Sequence, residues 1–163
     1  MAAEYEVSER VEEIAKDLIK VHHIHLASAK IAYLMKLTPR DKDGRIAIQA
    51  PQRIGKRKAI GTARNVPAIY YTLTGFDFII EIDEYRWDIL TIEQQIALVD
   101  HELCHCARDP KGFYIKDHDV EEFCAIVERH GAWRSDLVKM REAFQMVLPM
   151  ETPTGESAQP SVQ

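Results

Sequence analysis

A chain of 163 residues, 46% hydrophobic and 29% charged, is long enough to bury a real core as one globular domain. Its net charge of −5, seven glycines and three cysteines exclude a low-complexity chain and a disulfide framework, and suit a reducing cytoplasm. Met1 to Glu6 carry no basic region followed by an apolar run, and runs such as Phe78-Ile79-Ile80 are far too short to span a bilayer. Neither a secretory signal nor a membrane partner is therefore expected. No C-x-x-C pair exists, so no zinc ribbon or finger is encoded.

Ser8 to Val21 places Val11, Ile14, Ala15, Leu18 and Ile19 on one helical stripe, with Ser8 as N-cap. His22, His23 and His25 follow and read as a helix end and loop, since no carboxylate or cysteine accompanies them. Ala29 to Leu37 alternates loosely and predicts a strand. Pro39 to Gly44 is a polar turn, and Ile46 to Ala50 a short apolar stretch without a defined state. Lys58 to Val66 predicts a second strand with small residues at Ala59, Gly61 and Ala63, and Phe76 to Ile82 a third. Tyr85, Trp87 and Leu90 are expected to pack the loop after it.

Thr91 is a predicted N-cap, with Glu93 and Gln94 in the first turn of a helix that runs through Ile96 to Val99 and ends near Arg108. Asp117 to His130 predicts another helix, with Val120, Phe123, Cys124 and Val127 on its apolar stripe and Gly131 as its stop. Trp133 to Leu148 predicts a last one, with Leu137, Met140, Phe144 and Leu148 buried. The expected fold is α+β: an N-terminal helix, a small three-stranded antiparallel sheet, then three helices. One domain over 1–148 is expected, followed by a disordered tail over 149–163 rich in Pro, Thr, Ser and Gln.

The chemistry concentrates at His101-Glu102-Leu103-Cys104-His105. Two histidines four apart project from one helical face, so both imidazoles can reach one metal ion. Glu102 is placed to deprotonate a metal-bound water, whose pKa zinc lowers toward ~7. Ile96 to Val99 lead up to the motif across Asp100, and ligands and apolar face are expected to belong to one buried element. A catalytic zinc needs a third protein ligand. His118 is the first choice, across a loop from Asp109 to Lys116, with Glu121 or Glu122 as the alternative. Tyr114, Arg129 and His130 are candidates for stabilising an oxyanion. Cys104 and Cys124 are expected to pack as small hydrophobes.

Charge is uneven. Lys36 to Arg64 holds nine basic and two acidic residues, against −5 for the whole chain. Arg53, Lys56, Arg57, Lys58 and Arg64 could contact a nucleic acid; the alternative is a solvated hairpin with basic residues at its exposed positions.

His101 to Cys106, followed by His118, resembles the SprT-like metalloproteases, including the Spartan-type enzymes that degrade DNA–protein crosslinks. Asp100 to Cys106, His118 to Phe123 and Arg129-His130-Gly131 are more similar still to the metallopeptidases of bacteriophages and prophages. The resemblance covers roughly Val7 to Val147. It implies a zincin-like fold, Zn2+ held by His101, His105 and His118, Glu102 as general base, and action in a bacterial host cytoplasm. Two departures stand out: Asp119 occupies the place of a glycine, and the C-terminal zinc ribbon of many SprT-like proteins is missing. The expected activity is zinc-dependent peptide hydrolysis of a protein substrate, including DNA-associated proteins. The alternative is a DNA- or protein-binding module with a structural zinc site. A zinc-dependent ribonuclease with three histidines is disfavoured by Glu102.

Overall fold

The computed structural model describes residues 3–40, 42–44, 46, 60–121 and 124–147. They fall into two compact units, Met1–Asp117 and His118–Gln163. The predicted tail over 149–163 and the stretch Ile46 to Ala50, save Ile46, lie outside the described residues.

The first unit runs β1 (Tyr5–Val7), α1 (Glu9–Val21), a 3-10 turn (Ile24–Leu26), β2 (Ile31–Lys36), β3 (Gly61–Asn65), α2 (Ala68–Thr74), β4 (Phe78–Asp83), α3 (Glu84–Asp88), α4 (Ile92–His105), β5 (Cys106–Asp109) and β6 (Gly112–Ile115). The α+β class is as expected. The sheet is not: among the described residues it has four strands in the order β1-β2-β4-β3, and it is mixed. β2 and β4 pair in parallel, while β1 and β3 pair antiparallel at the two edges. The physical reason is the crossover. Chain leaving β2 returns through β3 and α2 before entering β4, so β4 can lie beside β2 in the same direction. β1 escaped the reading because three residues show no usable alternation. The exposed α2 has no buried residue to mark a stripe.

β4 holds the core. Phe78, Ile80 and Ile82 are fully buried on one face, and Ile79, Glu81 and Asp83 alternate with them. Each such side chain contributes about 1.5–3 kcal/mol by burial. Tyr33 and Met35 from β2 extend that face, and Val11, Ala15, Val99 and Leu103 from α1 and α4 complete the cluster. On the opposite face Glu81 accepts from Tyr5 Oη at 3.2 Å and pairs with Arg64 at 3.1 Å. Tyr85, Trp87 and Leu90 do not pack a loop as expected: the first two belong to α3, Trp87 is buried and Tyr85 is exposed.

α4 also ends earlier than predicted. It stops at His105, and Cys106 adopts extended backbone as the start of a hairpin. Asp109 Oδ1 accepts from the N–H groups of Lys111 and Gly112 at 2.7 and 3.0 Å, which builds the turn around Pro110. Gly112 takes φ 134, a conformation open to glycine. Asp109-Pro110 and Gly112 are thus a hairpin tip between β5 and β6, not a helix end with a loop.

The second unit contains α5 (Cys124–His130) and α6 (Ser135–Val147). The helix predicted from Asp117 is shorter: residues 117–121 carry no regular structure, and Glu122 and Phe123 lie outside the described residues. Gly131 stops α5 as expected, at φ 66 with its N–H bonded to the Val127 carbonyl at 2.8 Å. In α6 Leu137 is buried, but Met140 and Phe144, also expected inside, are exposed; Leu148 is not among the described residues. Among the described residues no helix is long and apolar enough to cross a membrane.

Candidate metal centre

α4 opens with a reciprocal cap. Thr91 Oγ1 accepts from the Gln94 N–H at 3.3 Å, and Gln94 Oε1 accepts from the Thr91 N–H at 3.0 Å. Anchored there and packed through Val99 and Leu103, the helix carries His101 and His105 one turn apart. Their ring centroids are 5.0 Å apart and their planes cross at 82°.

The hairpin orients the second ring. His105 Nδ1 donates to the Lys116 carbonyl at 2.7 Å, and Lys116 N–H donates to the His105 carbonyl at 2.8 Å. A carbonyl only accepts, so Nδ1 carries the proton and Nε2 keeps a lone pair for a cation. His101 is exposed and His105 half-buried. The expectation that ligands and apolar face form one buried element is therefore corrected: they occupy adjoining sides of α4, because neighbouring residues on a helix sit about 100° apart.

Glu102 falls on the inner side. Only 3% of it is exposed. β3 makes room for it with Gly61, where a Cβ would lie 2.5 Å from Glu102 Oε1 and 2.9 Å from its Cδ. A glycine inside a strand is the sequence signal for such a close approach, and it went unused. His101, Glu102, Gly61, Ile60, Ala97 and Leu98 line a cleft of about 430 Å3 together with Leu90 and Gln94. The carboxylate and one histidine thus share an open, mostly apolar groove.

The cysteines divide differently from expectation. Cys104 and Cys124 are exposed rather than packed, and Cys106 is the buried one. Burial, then the nearby Glu102 charge, push the Cys106 thiol up to about 12. Its Sγ donates to the Glu102 carbonyl at 3.6 Å.

The remaining predicted residues fall on several elements of the two units. Tyr114 is an exposed residue of β6. Arg129 and His130 stand in the last turn of α5. His118 follows Asp117 directly and opens the second unit, with its side chain about half exposed and its Nδ1 3.6 Å from Glu121 Oε1. Glu122, Arg53, Lys56, Arg57 and Lys58 lie outside the described residues. Arg64 is paired with Glu81.

By donor chemistry, the imidazoles of His101 and His105, one turn apart on α4, could hold a metal ion. Imidazole donors of this kind suit zinc-class cations. An α+β fold with a helix-borne histidine pair and a buried carboxylate beside it fits the class of metal-dependent hydrolases. The comparison with protein families makes this particular: the chain belongs to the family described as "Putative phage metallopeptidase", whose profile matches residues 3–145. Neither a curated protein nor a solved structure matches the chain.

Proposed function

We propose that the protein is a zinc-dependent peptidase in which His101, His105 and His118 hold the metal and Glu102 is the general base. The observation that carries this reading is Glu102 itself. A carboxylate next to a ligand position, buried in a cleft against a glycine that leaves no space for a side chain, is costly to maintain without a chemical role.

When bound, zinc supplies Lewis acidity that polarises a carbonyl and acidifies water. The rest falls to the chain's own groups. Glu102 takes a proton from the attacking water and returns it to the departing amine. The Lys116 carbonyl holds the Nδ1 proton of His105, which would leave the Nε2 lone pair available to a cation. Support for His118 comes from covalent reach. It follows Lys116 by two residues, roughly 7 Å of extended chain, and Lys116 is hydrogen-bonded twice to His105. Glu121, beside His118 Nδ1, acts on this reading by orienting that ring rather than as a ligand.

The substrate on this proposal is protein, including protein bound to DNA, and the basic residues between Lys36 and Arg64 contact the nucleic acid in the host cytoplasm. The test compares wild type with Glu102→Gln for metal content and cleavage of casein and of a DNA-bound protein. Metal retained with hydrolysis lost is expected; full activity in Glu102→Gln would overturn the mechanism. DNA binding is expected to weaken as salt rises and to be lost when Lys56, Arg57 and Lys58 become alanine.

A further inference from the structure

The loop of three histidines after α1 is not an ordinary helix end. It clasps α4 and the strand β5 that follows it. His25 Nε2 donates to the Cys106 carbonyl at 3.1 Å, Arg108 reaches back to Ser28 Oγ at 3.0 Å, and His23 Nε2 donates to Asp100 Oδ1 at 2.6 Å. His23 is 95% buried, its exposure being 5%. The carboxylate and thiol that the local sequence lacks arrive from residues 77 positions and more downstream.

Asp100 and Cys104 repeat the spacing of His101 and His105. Each pair is separated by four residues, so each projects from one line of α4, and the two lines are one residue apart around the helix. His23 faces the Asp100–Cys104 line. Donor atoms of His23, Asp100 and Cys104 all lie within 4.8 Å of one another. An imidazole, a carboxylate and a thiol are three of the donor types that zinc-class cations select.

We propose that His23, Asp100 and Cys104 form a second cation site, separate from the histidine pair, that takes a thiophilic divalent ion such as zinc. His23 binds through Nε2, Asp100 through a carboxylate oxygen and Cys104 through sulfur, and water completes the set. On ligation the His23 ring carries its proton on Nδ1 and leaves Nε2 to the ion, and the Cys104 thiol proton leaves to solvent. The ion replaces the hydrogen bond between the 3-10 turn and α4 by metal bonds, and so ties the loop to the helix that carries the first site. Access is through Cys104, which is exposed, while the buried His23 fixes the inner end.

The test uses the full chain, loaded with zinc for metal analysis and with cobalt(II) for spectroscopy. Wild type is expected to hold about two zinc ions, with three protein ligands at each site. The cobalt form should show a near-ultraviolet thiolate-to-cobalt charge-transfer band. Cys104→Ser, a small change at an exposed position, should lose the band and one equivalent; His23→Ala should lose the same equivalent. His105→Ala should keep the band while losing the other equivalent. A wild type without the band, or a band that survives Cys104→Ser, would overturn the second site. One equivalent that carries the band and persists in His105→Ala would support the second site and count against the first.

Discussion

α1 and α4 share one hydrophobic core, but they bury different kinds of residue. α1 places Val11 and Ala15 fully inside and keeps its charges in solvent. α4 places Val99 and Leu103 in the same core but also buries Gln95 and Glu102. Gln95 is satisfied on both sides: it accepts from Arg10 Nη2 at 2.7 Å and donates to the Trp87 carbonyl at 2.9 Å. That arrangement fastens α1, α3 and α4 together and is structural. Glu102 is different, because the groove reaches it and a strand glycine has been set against it. Burying an apolar side chain stabilises a fold without further demands. Burying a carboxylate costs stability, and on the proposed mechanism its presence in an otherwise well-packed layer is where function overrides packing.

The contrast can be broken by substitution. The largest effect is expected from Glu102→Gln, a near-isosteric change: turnover should drop about 10²–10⁴-fold with the melting temperature and bound metal nearly unchanged, as read by peptide cleavage, calorimetry and metal analysis. Gly61→Ala comes next. Its Cβ would meet Glu102 Oε1 at 2.5 Å, and the side chain, being flexible, moves rather than the strand. A misplacement of this size should lower kcat about 10–100-fold, with circular dichroism unchanged; wild-type kcat in this variant would show that Glu102 does not depend on the glycine.

On the α1 side the effect should be thermodynamic only. Val11→Ala removes fully buried methyl groups and should cost about 2 kcal/mol in denaturant unfolding, while activity per folded molecule stays at the wild-type level. The smallest effect concerns acid. The Thr38 N–H bonded to Glu84 at 2.7 Å, aided by Arg40, holds the Glu84 carboxyl below its ordinary value of 4.5. A depressed carboxyl stabilises the fold above its unfolded-state value and loses that contribution as pH falls through the folded-state value. Glu84→Gln should therefore narrow the stability difference between neutral pH and pH below about 4.5, measured by urea unfolding at each pH.

The elements with strong local signals were legible in the sequence. Ser8 caps α1 and Thr91 with Gln94 caps α4, because capping depends on residues three positions apart. β4 was legible through its alternation, and Gly131 through the need for a left-handed stop. Elements whose formation depends on distant partners were not. Nothing local distinguishes the last residues of the predicted helix, Cys106 to Arg108, from a strand; pairing with Gly112–Ile115 decides it. Nor can a pattern of apolar residues tell that Met140 and Phe144 remain exposed, or that a strand neighbour is parallel.

The sequence by itself determined the reactive groups, because the four-residue spacing of His101 and His105 and the adjacency of Glu102 are properties of any α-helix. Only tertiary structure decided what surrounds them. It set Gly61 against Glu102, closed the Lys116 carbonyl onto His105, and carried His23 to Asp100 and Cys104. Helical periodicity is written in a few consecutive residues, whereas these contacts join positions 11 to 81 apart in the chain and exist only once the sheet and hairpin have folded.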